Sequence, residues 1–206
     1  YDVVLALGVE KLYHEDKRKS FAAFSGAVDV EAMAEIMARL KEGAKEASPG
    51  SSGEGAGENR SMFMDIYAAA ARNHMKHDGT TVNQFAGVAA KNSFHGSMNP
   101  RAQFREALSV EDVLNSPMIA APLTRPMCSP IGDGAAAVVV VSERKARSLG
   151  LVTPVRISSM VLHSGWDHAP GEEGGAAELC AREAYAEAGV GPKDLSVIEL
   201  HDASAP

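Results

Sequence analysis

Residues 132–150 read GDGAAAVVVVSERKARSLG. Ala135–Val141 is an unbroken apolar run that ends in valines. β-Branched side chains are stiff at χ1 and pack well on a pleated surface, so the run predicts a strand. A continuous run, rather than an alternating one, is the pattern of a strand covered on both faces. Gly132-Asp133-Gly134 predicts a tight turn into it. Ser142 predicts the cap of a short helix, Glu143–Leu149, closed by Gly150. Strand, cap, helix and glycine stop in so short a stretch are the punctuation of an α/β protein.

Upstream, Val3-Val4-Leu5-Ala6-Leu7-Gly8 predicts a second buried strand. Asp16–Lys19 reads as a charged loop. In Asp29–Leu40, Val30, Met33, Ile36, Met37 and Leu40 recur at helical spacing and predict an amphipathic helix. Ser48–Ser61, rich in Gly, Ser, Glu and Asn, has the composition of an inserted surface loop. Met62–Met75 predicts a helix with Met62, Ile66, Ala69, Ala70 and Asn73 on one face. Thr81-x-x-Gln84 is a capping-box pattern opening a helix to about Phe94. His95–Pro100 reads as an irregular loop, Ser109 as the cap of a short helix ending before Pro117, and Pro122–Pro130 as loop.

Downstream, Val155–Leu162 alternates well enough to predict a strand. Gly171–Gly175 predicts a turn. Ala176–Ala188 predicts an Ala-rich helix with Leu179, Cys180 and Ala184 inward, closed by Gly189. Val197-Ile198-Glu199-Leu200 predicts a last strand that delivers His201-Asp202 at its end. The excursion from about residue 14 to 130 then forms a lobe over a sheet.

Composition narrows the function. The chain of 206 residues carries 27 acidic against 20 basic residues, a net charge of -7, which disfavours a phosphate backbone as ligand. Two cysteines, Cys128 and Cys180, make no disulfide framework and fit a reducing compartment, with the cytoplasm as the expected site. No run approaches the roughly 20 apolar residues of a membrane helix. The sequence has no Gly-rich phosphate loop, CxxC pair or HExxH motif. His74 and His77 lack further ligands at metal-binding spacing and read as surface histidines, so no metal is expected. His201 differs, because the carboxyl end of a strand is where an open α/β sheet presents its ligands. A histidine there suits hydrogen bonding or proton transfer, although a structural role fits the same position.

Longer motifs carry a family resemblance. Thr80-Thr81-Val82-Asn83-Gln84-Phe85 through Asn99-Pro100-Arg101-Ala102-Gln103-Phe104-Arg105 is very similar to the loop domain of sterol-carrier-protein-x-type thiolases. So is Pro122-Leu123-Thr124-Arg125-Pro126-Met127-Cys128-Ser129-Pro130 leading into Asp133-Gly134-Ala135. Leu5–Lys11 resembles the strand and turn that follow the nucleophile helix of that family. Glu199-Leu200-His201-Asp202 resembles its His-Asp-Cys-Phe motif.

The resemblance implies a layered α/β/α/β/α thiolase fold, present in part, with an α-rich loop lobe. Residues 1–13 with 131–150 would belong to the N-terminal half, 14–130 to the lobe, and 151–206 to the start of the C-terminal half. It implies coenzyme A as the thioester carrier, an acyl-CoA or 3-ketoacyl-CoA substrate, and Claisen condensation or its thiolytic reverse. His201 would belong to an oxyanion hole, directly or through a water. Ser129 matches a position that contacts the pantetheine arm, and Gly96, Ser97 and Met98 are weaker candidates for the CoA channel. A homodimer is expected. One branch of the fold is a steroid side-chain retro-aldolase working with an OB-fold partner, and a non-catalytic CoA-binding subunit is a third reading.

By the same matching, the family's nucleophilic Cys falls before Tyr1, and its Gly-His-Pro histidine and second Cys fall after Pro206. Cys180 and Cys128 read as packing residues rather than replacements. The sequence departs from the family after Asp202, where Ala203-Ser204 stands in place of Cys or Ala and then Phe. We therefore expect a piece of a longer protein, with strand edges and apolar faces uncovered when taken alone.

Overall fold

The computed structural model describes residues 1–24, 26, 29–38, 42, 60–152, 155–164, 175–201 and 203–206. In chain order the elements are β1 (Val3–Glu10), α1 (Lys17–Phe24), α2 (Met62–Asp78), α3 (Val82–Met98), α4 (Val110–Asn115), β2 (Met118–Ala120), β3 (Leu123–Thr124), β4 (Gly134–Val141), α5 (Glu143–Ser148) and α6 (Ala176–Ala188). Short 3-10 turns span Arg125–Met127 and Pro192–Asp194. Residues 33–38 are also helical, inside the run where apolar spacing predicts a helix. Residues 48–59, 171–174 and Asp202 lie outside the described residues. β1 pairs with β4, and β2 pairs antiparallel with β3. Helices and small sheets mix as an α/β chain should.

The chain divides into two compact units, Gly8–Ala136 with Asp202–Pro206, and Tyr1–Leu7 with Ala137–His201. The first unit holds the hydrophobic core. Ala68, Ala71, Phe85, Ala86, Ala89, Val113, Ala120, Leu123 and Met127 form one buried cluster. α3 packs on α4 and on the Arg125–Met127 turn, while α2 packs on β2. The small alanines of α2 and α3 let these elements approach closely, and Phe85 supplies the aromatic bulk. Side chains secure the connections. The buried Thr124 hydroxyl donates to the Val113 carbonyl at 2.7 Å, and Arg72 donates to the Ala121 carbonyl at 2.6 Å.

Local signals set the helix ends. The Ser61 hydroxyl accepts the Phe63 N–H at 3.2 Å and opens α2, and Gly79, at φ 71, closes it. Gln84 reaches back to accept the Thr81 N–H at 2.7 Å, as the capping pattern predicts. The Ser109 and Ser142 hydroxyls accept the Asp112 and Lys145 N–H groups, both at 3.1 Å, and start α4 and α5. Gly150 at φ 64 and Gly189 at φ 69 follow α5 and α6. Only glycine adopts such φ values without strain.

The Asp16–Lys19 stretch, expected as a charged loop, instead enters helix α1 at Lys17, with the Asp16 carboxylate accepting the Arg18 N–H at 3.1 Å. Four further expectations change. The inward face of α2 is Met62, Asp65, Ala68 and Ala71, not the Ile66 and Asn73 face. Apolar spacing could not find it, because its second member is a buried carboxylate. Asp65 is buried because Arg60 grips both its oxygens, at 2.7 Å and 3.0 Å. Second, residues 95–98 continue α3 rather than forming a loop. The Ser93 and Ser97 hydroxyls fold back on the Ala90 and Phe94 carbonyls at 2.7 Å, so serine does not break the helix here. Third, β3 and a 3-10 turn occupy part of the Pro122–Pro130 loop.

Fourth, in the other unit, 155–162 and 197–200 are not strands. A strand needs a ladder, and neither run has one among the described residues. Val155, Leu162 and Val197 are exposed instead. Hydrogen bonds from Ser159 to Glu187 and between His163 and Glu183, both 2.8 Å, tie 155–164 to α6. On α6 the inward set Leu179, Cys180 and Ala184 is half-buried, as its spacing predicts, but no residue of the helix is buried. β1 is exposed at every position and β4 at nearly every one, against the expectation of strands covered on both faces. No described element lies over their side chains.

Asp133, read from sequence as a turn residue, organises the first unit's start. It accepts the Leu12 and Tyr13 N–H groups at 3.0 and 2.8 Å and pairs with Lys11 at 2.6 Å. The Lys11 bond and then these N–H donors hold its pKa below the ordinary 3.8. A depressed folded pKa stabilises above the unfolded value and is lost as pH falls through the folded one. Asp133→Asn should therefore have a lower urea midpoint than wild type at pH 7, and the gap should close on titration well below pH 3.8. Arg60→Met, which strands a buried carboxylate, should destabilise by roughly 3 kcal/mol. Adding Asp65→Leu should recover much of that loss in the same urea titration.

Candidate functional site

Cys128-Ser129-Pro130 and Ser204-Ala205-Pro206 share one local design, a small residue placed before a proline. The residue before a proline is pushed to extended backbone, and in the register seen here Pro130 and Pro206 stand where an N–H would face away from the other segment, so they remove no cross-bond. The two segments pair through the residues beside the prolines. The Ser129 N–H donates to the Ala203 carbonyl at 3.1 Å, and the Ala205 N–H donates to the Met127 carbonyl at 2.9 Å. Cys128 and Ser204 face each other between those bonds, in an isolated antiparallel bridge. Bonds that flank a pair, rather than join it, mark the closer kind of antiparallel pair, with Cα atoms roughly 4.5 Å apart and side chains on one side.

The pairing is anchored from below. Met127 is buried in the core, and Thr124, which opens the 3-10 turn, is fixed by its bond to Val113. The Cys128 thiol donates to the Thr124 carbonyl at 3.6 Å. Burial pushes that thiol up to about 11, so at neutral pH it is a protonated hydrogen-bond donor and not a nucleophile. Ser204 is 7% exposed, and its hydroxyl has no partner among the described residues.

The other expected site residues fall as follows. Ser129 is exposed, with its N–H committed to the bridge. The pairing begins two positions after His201 in sequence, and His201 itself is exposed and groups with the other unit. Gly96, Ser97 and Met98 form the last turn of α3, the helix that packs on the turn just before Cys128. The Phe104 carbonyl stands 3.3 Å from where a Cβ on Gly96 would lie, which explains the glycine. Met98 is exposed, while the Ser97 hydroxyl is taken up by Phe94. Sequence reasoning missed the pairing of Ser204 with Cys128, because the bonds that make it are main-chain bonds between segments far apart in the chain.

Among the described residues no group of three His, Cys, Asp or Glu side chains could hold a metal ion. No helix among them is long and apolar enough to cross a membrane. His74 and His77 are exposed, and His74 bonds the Thr80 hydroxyl at 2.7 Å.

No family model matches the chain. Individual relatives do. It is 40% identical over 140 residues to the benzoylsuccinyl-CoA thiolase subunit BbsB of Thauera aromatica, across 66% of this chain and 36% of that protein. It is 40% identical over 144 residues to an acetyl-CoA acetyltransferase of Methanothermobacter thermautotrophicus, across 68% of this chain and 37% of that protein. The chain belongs to the thiolase superfamily. Sterol carrier protein 2 of Rattus norvegicus is 32% identical over 153 residues, across 66% of this chain and 26% of that protein, which places the chain with the sterol-carrier type. The chain thus spans about a third of the length of these curated relatives. A solved structure of an Ltp2-ChsH2(DUF35) aldolase matches 99% of this thiolase-superfamily chain and 49% of its own, at 27% identity and a TM-score of 0.69. That likeness supports a thiolase-like α/β fold.

The thiol environment gives a direct check. With a pKa near 11, Cys128 should react with iodoacetamide at pH 8 roughly 100-fold slower than an ordinary free thiol, as peptide mapping over time would show.

Proposed function

We propose that this chain is part of a coenzyme A-dependent acyltransferase of the thiolase type, acting on an acyl-CoA or 3-ketoacyl-CoA by Claisen condensation or thiolysis. The observation that carries the reading is the 40% identity to two proteins whose names state CoA-thioester chemistry. The neutral, half-buried Cys128 agrees with it, because the nucleophile then has to be a different cysteine.

In this reading His201 donates a hydrogen bond to the enolate oxygen that develops at the thioester, directly or through a water. The exposed Ser129 meets the pantetheine arm, and Gly96, Ser97 and Met98 border the channel that admits CoA. No metal takes part. The whole protein works as a homodimer in a reducing compartment, the cytoplasm, where the free Cys128 and Cys180 stay reduced. We divide the chain into residues 1–13 with 131–150 from the first thiolase half, 14–130 as the lobe, and 151–206 as the start of the second half.

A second reading is favoured by one observation, the coverage of 99% of the chain by the structure named as an aldolase. It is a retro-aldolase for steroid-type side chains, working with an OB-fold partner subunit. The two readings separate by assay on the whole protein that contains this chain. The acyltransferase reading expects CoA-dependent cleavage of a 3-ketoacyl-CoA without added partner, and a 100- to 1,000-fold drop in kcat for His201→Ala. Cleavage of a 3-hydroxyacyl-CoA that needs no free CoA and depends on a second subunit would instead establish the aldolase.

A further inference from the structure

We propose that coenzyme A lies along the outward face of α3, with its phosphates at Lys91 and its pantetheine arm over Met98. The proposal rests on the coenzyme A reading above and names the cation that this reading needs. Helical spacing defines the face. Gln84, Val88, Lys91, His95 and Met98 recur at steps of four and three residues, and all of them are exposed. Phe85, Ala86 and Ala89, on the opposite side of the helix, are buried in the core. Phe94 is exposed too, three residues after Lys91 and four before Met98. One stripe of α3 thus presents an ammonium group followed by apolar surface.

Charge sets the direction in which the ligand lies. The chain has a net charge of -7, yet residues 79–105 hold Lys91, Arg101 and Arg105 and no Asp or Glu. Lys91 is the one Lys or Arg of α3, and among the described residues no hydrogen bond or ion pair takes up its ammonium. α3 ends at Met98, and the unpaired carbonyls of a helix end carry a negative partial charge. Phosphates are repelled there. The pantetheine arm is neutral, and its amide N–H groups suit those carbonyls. The arm therefore takes the last turn, and the phosphates lie back along the helix at Lys91, about 10 Å away at a rise of 1.5 Å per residue. Phe94 and Met98, one turn apart, give the methyl and methylene groups of the arm an apolar wall. Gly96 faces the Phe104 carbonyl and the Ser97 hydroxyl bonds Phe94, so at this helix end Met98 makes the side-chain contact.

The test uses the whole protein and two probes, coenzyme A and pantetheine, which is the same arm without phosphates. Both side chains to be changed are exposed, so the variants should fold. We expect Lys91→Ala to raise the Kd of coenzyme A about 10-fold, as loss of a solvent-screened, charge-assisted hydrogen bond should, and to leave the Kd of pantetheine within about twofold of wild type. Coenzyme A binding should also lose part of its salt dependence in K91A. Met98→Ala should weaken both probes by a similar factor. K91A binding coenzyme A as wild type does, K91A weakening both probes alike, or M98A sparing both would overturn the proposal. A wild type that binds no coenzyme A would overturn it together with the reading on which it rests. A wild type that binds in the expected pattern but neither cleaves nor condenses acyl-CoA thioesters would sink the acyltransferase reading alone, since the Kd values still report on this face.

Discussion

Two main-chain hydrogen bonds, from the Ser129 N–H to the Ala203 carbonyl and from the Ala205 N–H to the Met127 carbonyl, are the interaction on which the candidate site depends. The prolines that follow Ser129 and Ala205 favour the extended backbone these bonds need. The resulting bridge sets Ser204 directly opposite Cys128. Two distant parts of the sequence, singled out separately for their chemistry, thereby share one local structure. The buried core of the same unit adjoins it through Met127 and Thr124.

The elements that sequence made legible are those whose causes are local. Ser109 and Ser142 cap helices because a hydroxyl three residues before an N–H can accept it. Gly150 and Gly189 end helices because only glycine turns left-handed there without strain. The valine run 138–141 became a strand for reasons of side-chain shape. The inward set of α6, Leu179, Cys180 and Ala184, followed directly from helical spacing.

What was not legible depends on distant partners. The inward face of α2 includes Asp65, and only Arg60 makes that burial acceptable. The role of Asp133 depends on Lys11, Leu12 and Tyr13, far back in the chain. The runs 155–162 and 197–200 have strand-forming composition, but a strand exists only with a neighbour to bond. Of the proposed site residues, the motif match named Ser129 and His201, while Gly96, Ser97 and Met98, expected in a loop, lie in helix α3. The partnership of Cys128 with Ser204 became visible only in three dimensions.

These residues also set what the chain contributes to chemistry. Burial leaves Cys128 a thiol, a donor to its own backbone turn, and under the proposed acyltransferase reading another cysteine of the whole protein would carry the acyl group. The most direct test is mass spectrometry of that protein, quenched during turnover of an acyl-CoA. The account predicts an acyl adduct on a cysteine outside residues 1–206, with Cys128 and Cys180 unmodified. An adduct on Cys128, or no acyl-enzyme at all during CoA-dependent turnover, would contradict it.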